Sequence, residues 1–316
     1  MTRPTRPQRI GCNIVLQILS AFALICCCLI TTTTAAPAGN SFGQPLVSAD
    51  SAWLPWLGCW QLVEEARPSA GPLGNQNRSA DRVVVCLVPV AGDPSAVEVT
   101  TVADGEPVLV ETLTADDTER KVEETSCAGW RRSTWSDDRS RLFTRAKLVC
   151  DGEESRSVSG VGLMASATTW LDIQMVDSGG REEVTVRRYR RTSESTPVRA
   201  TTAPLPTDVL NRAVTAAKLS STSELGVNDV IEAGLVVDRS VVEAMLIESR
   251  ASFVLDRREL IRLDNSGVPS EVIDLMVALS FPNEFAVERP PARTASSLNS
   301  TGGFVAPFNP YGFNRW

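Results

Sequence analysis

The amino-acid sequence predicts an all-β antiparallel barrel or sandwich followed by a small all-α domain of helical hairpins. Short runs rich in Val, Thr and aromatic residues alternate with Gly, Pro and Asp turns throughout residues 52–191. After a Ser, Thr and Pro linker at residues 192–206, the spacing of apolar residues changes to a helical period over residues 207–289. The length of 316 residues accommodates two ordinary domains of this kind.

Residues 1–38 have the pattern of a signal peptide. Arginines near the start precede an apolar run at residues 14–30, and an A-x-A cleavage site lies at residues 36–38. Residues 39–51 then form a small polar leader. If the segment 14–30 is not cleaved it becomes a membrane tether, because roughly 17 residues is the shortest bilayer span. Either outcome predicts an extracytoplasmic location: the periplasm, the cell envelope or the secreted fraction.

The β region is predicted to be disulfide-bonded, since an even number of cysteines in an exported chain implies disulfides. The four cysteines beyond the signal segment are Cys59, Cys86, Cys127 and Cys150. Antiparallel pairing of the first two strand-like runs places Cys59 opposite Cys86 and Trp60 opposite Val85. Cys127 and Cys150 are equidistant from the polar turn 137–140. We therefore predict the pairs Cys59–Cys86 and Cys127–Cys150.

The strand-like runs are separated by turn signals such as Asp104-Gly105 and Ser178-Gly179-Gly180. Six to nine antiparallel strands are expected, and the runs that carry this prediction are 58–64, 82–90, 96–102, 107–113, 141–149, 157–165, 169–176 and 183–191.

Residues 207–289 are predicted to form two related helical hairpins. The segment Val241–Met245 resembles Val272–Met276 at an offset of 31 residues, so two copies packed on each other would bury both apolar stripes. Residues 290–316 combine Pro, Gly, Asn and Ser with spaced aromatic residues and have no period. This tail is predicted to be disordered, and its aromatic residues are predicted to favour association with other molecules.

Gly58-Cys59-Trp60 opens the β region, and a G-x-W on the first strand of an antiparallel domain of this size resembles the lipocalin and wider calycin barrels. The resemblance covers about residues 57–191. It implies a tryptophan at the closed end of the barrel beneath an arginine from the last strand. Arg187, Arg188 or Arg190 would fill that role, and Arg188 is the candidate taken forward. The whole layout also resembles uncharacterised exported bacterial proteins.

If the barrel encloses a ligand cavity, tryptophan side chains are expected to line it. The candidate lining residues are Trp60, Trp130, Trp135 and Trp170. Core packing is the competing interpretation of the same residues. The mixed runs Trp130–Arg132 and Arg187–Arg191 offer a local patch for an anionic ligand, unless strand alternation turns half of each run toward solvent.

Composition excludes several classes of function. The chain has no histidine, which removes the Ser-His-Asp and Cys-His triads and His-ligated metal sites, and no cofactor or metal motif is present. Without residues 1–38 the chain keeps 28 basic and 38 acidic groups, so a nucleic-acid partner is not expected.

The leading hypothesis is a non-catalytic extracytoplasmic binding or scaffold protein, with the helical module and the tail recruiting an unknown protein partner. The alternative is a carrier of a small apolar ligand in a lipocalin-like barrel. A second alternative is a hydrolase that uses carboxylates alone, which needs two acids facing each other in one cleft. Adjacent acids such as Asp137 and Asp138 do not meet that need on a strand, because neighbours point to opposite faces.

Overall fold

The computed structural model describes residues 50–66, 82–123, 127–150, 155–192 and 205–287, and the backbone of 292–294. The predicted signal peptide, nearly all of the leader, most of the linker and most of the tail lie outside the described residues. Among the described helices, none has the length and apolar content needed to cross a bilayer.

A 3₁₀ helix at Ser51–Trp56 leads into ten antiparallel strands. The strands are β1 (Gly58–Ala66), β2 (Val83–Val90), β3 (Asp93–Ala103), β4 (Glu106–Thr114), β5 (Arg120–Glu123), β6 (Cys127–Trp135), β7 (Arg141–Cys150), β8 (Ser155–Ser166), β9 (Thr169–Ser178) and β10 (Arg181–Arg191). A short β11 (Ala292–Thr294) pairs with the end of β1.

The ten strands form one continuous sheet in the order β4-β3-β2-β1-β10-β9-β8-β7-β6-β5. Strands next to each other in sequence pair, except β4 and β5, which form the two ends of the sheet, and β1 pairs with β10. The two ends of the sheet curl toward each other: the guanidinium of Arg131 on β6 lies 2.6 Å from the carboxylate of Glu111 on β4. The backbone N–H of Asp117 also donates to the carbonyl of Ser133. The predicted class is confirmed, and the architecture is a half-open barrel rather than a sandwich of two sheets.

Both predicted disulfides are present, between Cys59 and Cys86 and between Cys127 and Cys150. Their registers are the predicted ones, since Trp60 pairs with Val85 and Trp135 pairs with Leu142. Each disulfide joins two neighbouring strands, which are connected through the β1–β2 segment in one case and the β6–β7 turn in the other.

Five helices follow the barrel: α1 (Thr207–Ser220), α2 (Val227–Val236), α3 (Arg239–Ser249), α4 (Arg257–Asn265) and α5 (Ser270–Ser280). Helices α2–α3 and α4–α5 are the two predicted hairpins. Asp256 caps α4 by accepting a hydrogen bond from the N–H of Glu259 at 2.9 Å. The turn after α4 places Gly267 at φ +78°, a conformation that glycine adopts without strain.

Helices α2–α5 pack on the outward face of the barrel, whereas α1 packs mainly against the 3₁₀ helix. Phe143, Ile173 and Met175 from the strands share one hydrophobic cluster with Val242 and Leu246 of α3. Because this cluster spans strands and helices, the outer face of β7–β10 is core in this protein.

Candidate functional site

Strand alternation sends every second side chain into the barrel, and aromatic rings fill one end of that interior. Trp56, Trp60 and Trp170 have exposed fractions of 1 % or less. The rings of Trp56 and Trp170 meet edge-on at 5.5 Å, and Trp170 stacks on Tyr189 at 4.5 Å. Trp53 contacts Trp135 edge-on at 4.8 Å. This end of the barrel is therefore closed by side chains packed on one another.

Trp60 fixes the 3₁₀ helix to the barrel and carries a cation on its ring. Its indole N–H donates to the carbonyl of Trp56 at 2.8 Å. The guanidinium of Arg191 lies 4.0 Å from the Trp60 ring centroid and also donates to the carbonyls of Leu57 and Pro55. Burial lowers the pKa of Arg191 to about 10.

The expectation that Arg188 stacks on the tryptophan is wrong. Arg188 points outward from β10, where it pairs with Glu64 at 3.2 Å and with Glu248 of α3 at 2.8 Å. The side chain of Arg191 points into the barrel, as that of Tyr189 does, because residues two apart on a strand point to the same face of the sheet.

Three of the four predicted cavity tryptophans come together, and the fourth does not. Trp60, Trp135 and Trp170 belong to the aromatic end of the barrel, where they pack against other side chains. Trp130 pairs with Lys121 and Lys147 on the opposite, outward face of the sheet, so it cannot line the interior.

The middle of the barrel holds a buried charged cluster centred on Arg187, which is 1 % exposed. Its Nε donates to Glu65 at 3.0 Å, and its Nη1 lies 3.3 Å from Asp172 and 3.4 Å from the amide oxygen of Gln174. One guanidinium thus faces two carboxylates. We call these four residues the polar core.

Burial raises the pKa of Asp172 to about 6, against the opposing attraction of Arg187. The nearby charge of Glu65 adds to the rise, because both acids share one cation. These two carboxylates are brought together inside the barrel and not in a cleft, and both are bound by Arg187.

The raised pKa predicts a stability change with pH. Between about pH 4 and 6 the folded chain holds a proton on Asp172 that the unfolded chain releases, so the free energy of unfolding falls as pH rises through this window. We expect wild type to lose about 3 kcal/mol relative to Asp172→Asn between pH 4 and 7, measured by urea denaturation.

The matched control is Asp138→Asn. Hydrogen bonds from Ser136, Ser140 and Ser223 outweigh burial and lower the Asp138 pKa. The difference in unfolding free energy between wild type and Asp138→Asn should therefore stay constant above pH 5. If the stability difference from wild type changed equally with pH for both variants, the raised pKa of Asp172 would be contradicted.

Two buried hydroxyl groups inside the barrel have no hydrogen-bond partner among the described residues. They are the Tyr189 hydroxyl, which adjoins the polar core, and the Thr101 hydroxyl on β3. Burial raises the Tyr189 pKa well above its ordinary value, so this group is a neutral donor.

A groove of about 620 Å³ lies between the barrel and the helices, outside the barrel interior. We call it the barrel–helix groove. Leu163, Leu171 and Met245 supply apolar lining. Residues 220–225, from the end of α1 into the α1–α2 connector, and residues 249–252, from the end of α3 onward, supply many hydroxyl groups. This volume is in the usual range of small-molecule sites.

Polar contacts fix the two walls of the barrel–helix groove. Arg141 of β7 pairs with Asp229 of α2 at 3.0 Å, and its side chain is 4 % exposed. The hydroxyl of Ser223 in the connector donates to Asp138 at 2.8 Å. On the groove wall Arg250 has φ +51°, a left-handed backbone conformation that is uncommon outside glycine and asparagine.

Sequence reasoning missed the polar core and the barrel–helix groove. The odd-numbered residues 187, 189 and 191 of the last strand carried a signal, because alternation places them all on the face of Trp60. No comparable signal in the sequence brings residues 220–225 beside β8.

Comparisons with known proteins give fold-level likeness alone. No protein-family model and no curated protein matches the chain. Among solved structures, the zebrafish ileal bile acid-binding protein with cholic acid aligns at 8% identity and TM-score 0.30, covering 44% of this chain and 99% of that one. Secretory abundant heat soluble protein 4 from Ramazzottius varieornatus aligns at 16% identity and TM-score 0.28, covering 44% of this chain and 95% of that one. Lipocalin 12 from rat epididymis aligns at 11% identity and TM-score 0.23, covering 56% and 80%. The chain is thus similar to lipocalin-type barrels at weak identity, and this likeness assigns no ligand.

Proposed function

We propose that this protein is a non-catalytic extracytoplasmic binding protein in which a rigid barrel holds a helical module, and in which a small ligand binds in the barrel–helix groove. The observation that carries the proposal is the groove itself. Its volume of about 620 Å³ is formed by residues from strands, helices and connectors together. Because apolar floor residues adjoin a ring of hydroxyl groups, the ligand class is a small molecule with an apolar body and hydrogen-bonding substituents.

The two disulfides support the location, since such bonds persist in oxidising compartments. The acidic net charge of −7 supports a partner other than nucleic acid. Recruitment of a protein partner by the tail is retained as part of the proposal. It draws on the aromatic residues of 290–316, which lie outside the described residues.

The test is native mass spectrometry of the full chain purified from its own source. We expect a co-purified small molecule and an intact mass lower by two hydrogens for each disulfide. Ala165→Trp places an indole at the exposed mouth of the groove and should abolish the bound mass. Ala91→Trp, at the exposed β2–β3 turn, is the matched control and should retain it. Retention of the ligand by both variants would exclude the groove, and free thiols would contradict the location.

The carrier alternative places a largely apolar ligand inside the barrel instead. The unpartnered hydroxyls of Tyr189 and Thr101 favour it, because each offers a hydrogen bond toward the interior. Tyr189→Phe in the same experiment distinguishes the two candidates. It weakens binding only if the ligand lies in the barrel.

A further inference from the structure

The outward face of β5, β6 and β7 carries four cations around one tryptophan. We call it the cationic face, and its residues are Lys121, Trp130, Arg132, Arg145 and Lys147. Lys121, Trp130 and Lys147 lie in one row across the three strands. Arg132 lies directly opposite Arg145 in the next row. The helical module contacts β8, β9, β10 and the start of β7 at Arg141 and Phe143, and it leaves Arg145 and Lys147 further along β7 exposed.

The charges of the cationic face are not explained by packing. Like charges directly opposite each other on a sheet destabilise it, and Arg132 and Arg145 form such a pair. Arg132 is partly neutralised by Asp117 at 3.0 Å, and Lys121 pairs with Glu123. Arg145 and Lys147 are exposed, and no residue in the described part of the chain forms an ion pair with either. In a chain of net charge −7, this local excess of positive charge indicates an anionic partner.

Trp130 adds a second recognition element between two of these cations. It is half-buried on an otherwise polar surface, so part of its ring is available to a partner. An indole presents a flat apolar face that stacks on the apolar face of a sugar ring. Neighbouring strands are about 4.8 Å apart, and alternate residues along a strand are about 7 Å apart. The cations are therefore regularly spaced across three strands, an arrangement suited to an extended polymer.

We propose that the cationic face binds an acidic polysaccharide, a chain of sugars that bear carboxylate or sulfate groups. The cations neutralise successive anionic groups while Trp130 stacks on a sugar ring. This surface is distinct from the barrel–helix groove and does not depend on the ligand proposed there. Stable binding to an anionic membrane is favoured by apolar side chains that insert among the lipids. Of the exposed large apolar side chains in the described part of β5, β6 and β7, only Val149 lies on this face.

The full oxidised chain is titrated with polygalacturonate, with neutral dextran and with vesicles of anionic phosphatidylglycerol. We expect binding to polygalacturonate that weakens as salt rises, and none to dextran. The double variant Arg145→Glu/Lys147→Glu should weaken binding at least about tenfold. The control Arg212→Glu/Lys218→Glu reverses two exposed cations on α1 and should change binding less than about twofold. Equal loss in the two variants overturns the proposal, as does binding to the vesicles without binding to the polymer.

A second variant keeps the test valid if the charge reversal impairs folding. Arg145→Ser removes the like-charge pair, so its melting temperature should equal or exceed that of wild type. Its affinity for polygalacturonate should nevertheless fall. Trp130→Ala should also lower that affinity at constant net charge. If either variant binds as wild type does, the face is not the site.

Discussion

Replacement of Arg187 by Leu should lower the free energy of unfolding by about 3–5 kcal/mol, because Glu65 and Asp172 would remain buried without their shared cation. Urea denaturation at pH 7 with the disulfides intact measures this directly. The loss should shrink at pH 5, since protonation of Asp172 removes one of the two buried charges.

Two controls distinguish charge imbalance from lost packing at Arg187. Arg190→Leu, at an exposed position on the same strand, should cost about 0.5 kcal/mol or less. The triple variant Glu65→Leu/Asp172→Leu/Arg187→Leu removes all three charges and should be more stable than the single variant. If the triple variant is the less stable of the two, the polar core does not act through its unpaired charges.

Trp60→Ala should cost a similar amount, about 3–5 kcal/mol, because it removes a fully buried indole from the closed end of the barrel. It also removes the ring under Arg191 and the hydrogen bond to the carbonyl of Trp56. The same urea titration applies.

Trp130→Ala is the matched control, since this tryptophan lies on the outward face and is half-buried. It should cost about 1 kcal/mol or less. Equal losses for the two variants would show that burial in the aromatic end is not what makes Trp60 important.

Local patterns predicted the covalent and strand-level features of the barrel. The registers of Cys59 with Cys86 and of Cys127 with Cys150 follow from counting residues about a turn, because antiparallel pairing is local. The helical hairpins follow from the change of apolar period. The sequence pattern could not distinguish a barrel from a sandwich, because that choice depends on which strands pair over long distances in the chain.

The polar core escaped prediction for a specific reason. A β-bulge between Leu62 and Glu64 changes which residues of β1 face inward. Without it, alternation from Trp60 would place Glu64 inside and Glu65 outside. With it, Glu65 faces Arg187, and Glu64 faces Arg188 on the helical side. One irregular residue thus determines which acid is buried, and the sequence around Val63 carries no turn or glycine signal for it.

The pairing of the first strand with the last has a consequence for biogenesis. During synthesis β1 is completed long before β10, so the sheet cannot curl shut until the last of its ten strands, Arg181–Arg191, has been made. Both cysteine pairs, by contrast, are separated by only 27 and 23 residues. Each crosslink is therefore able to form on an incomplete chain, which shortens the search for the long-range pairing of β1 with β10.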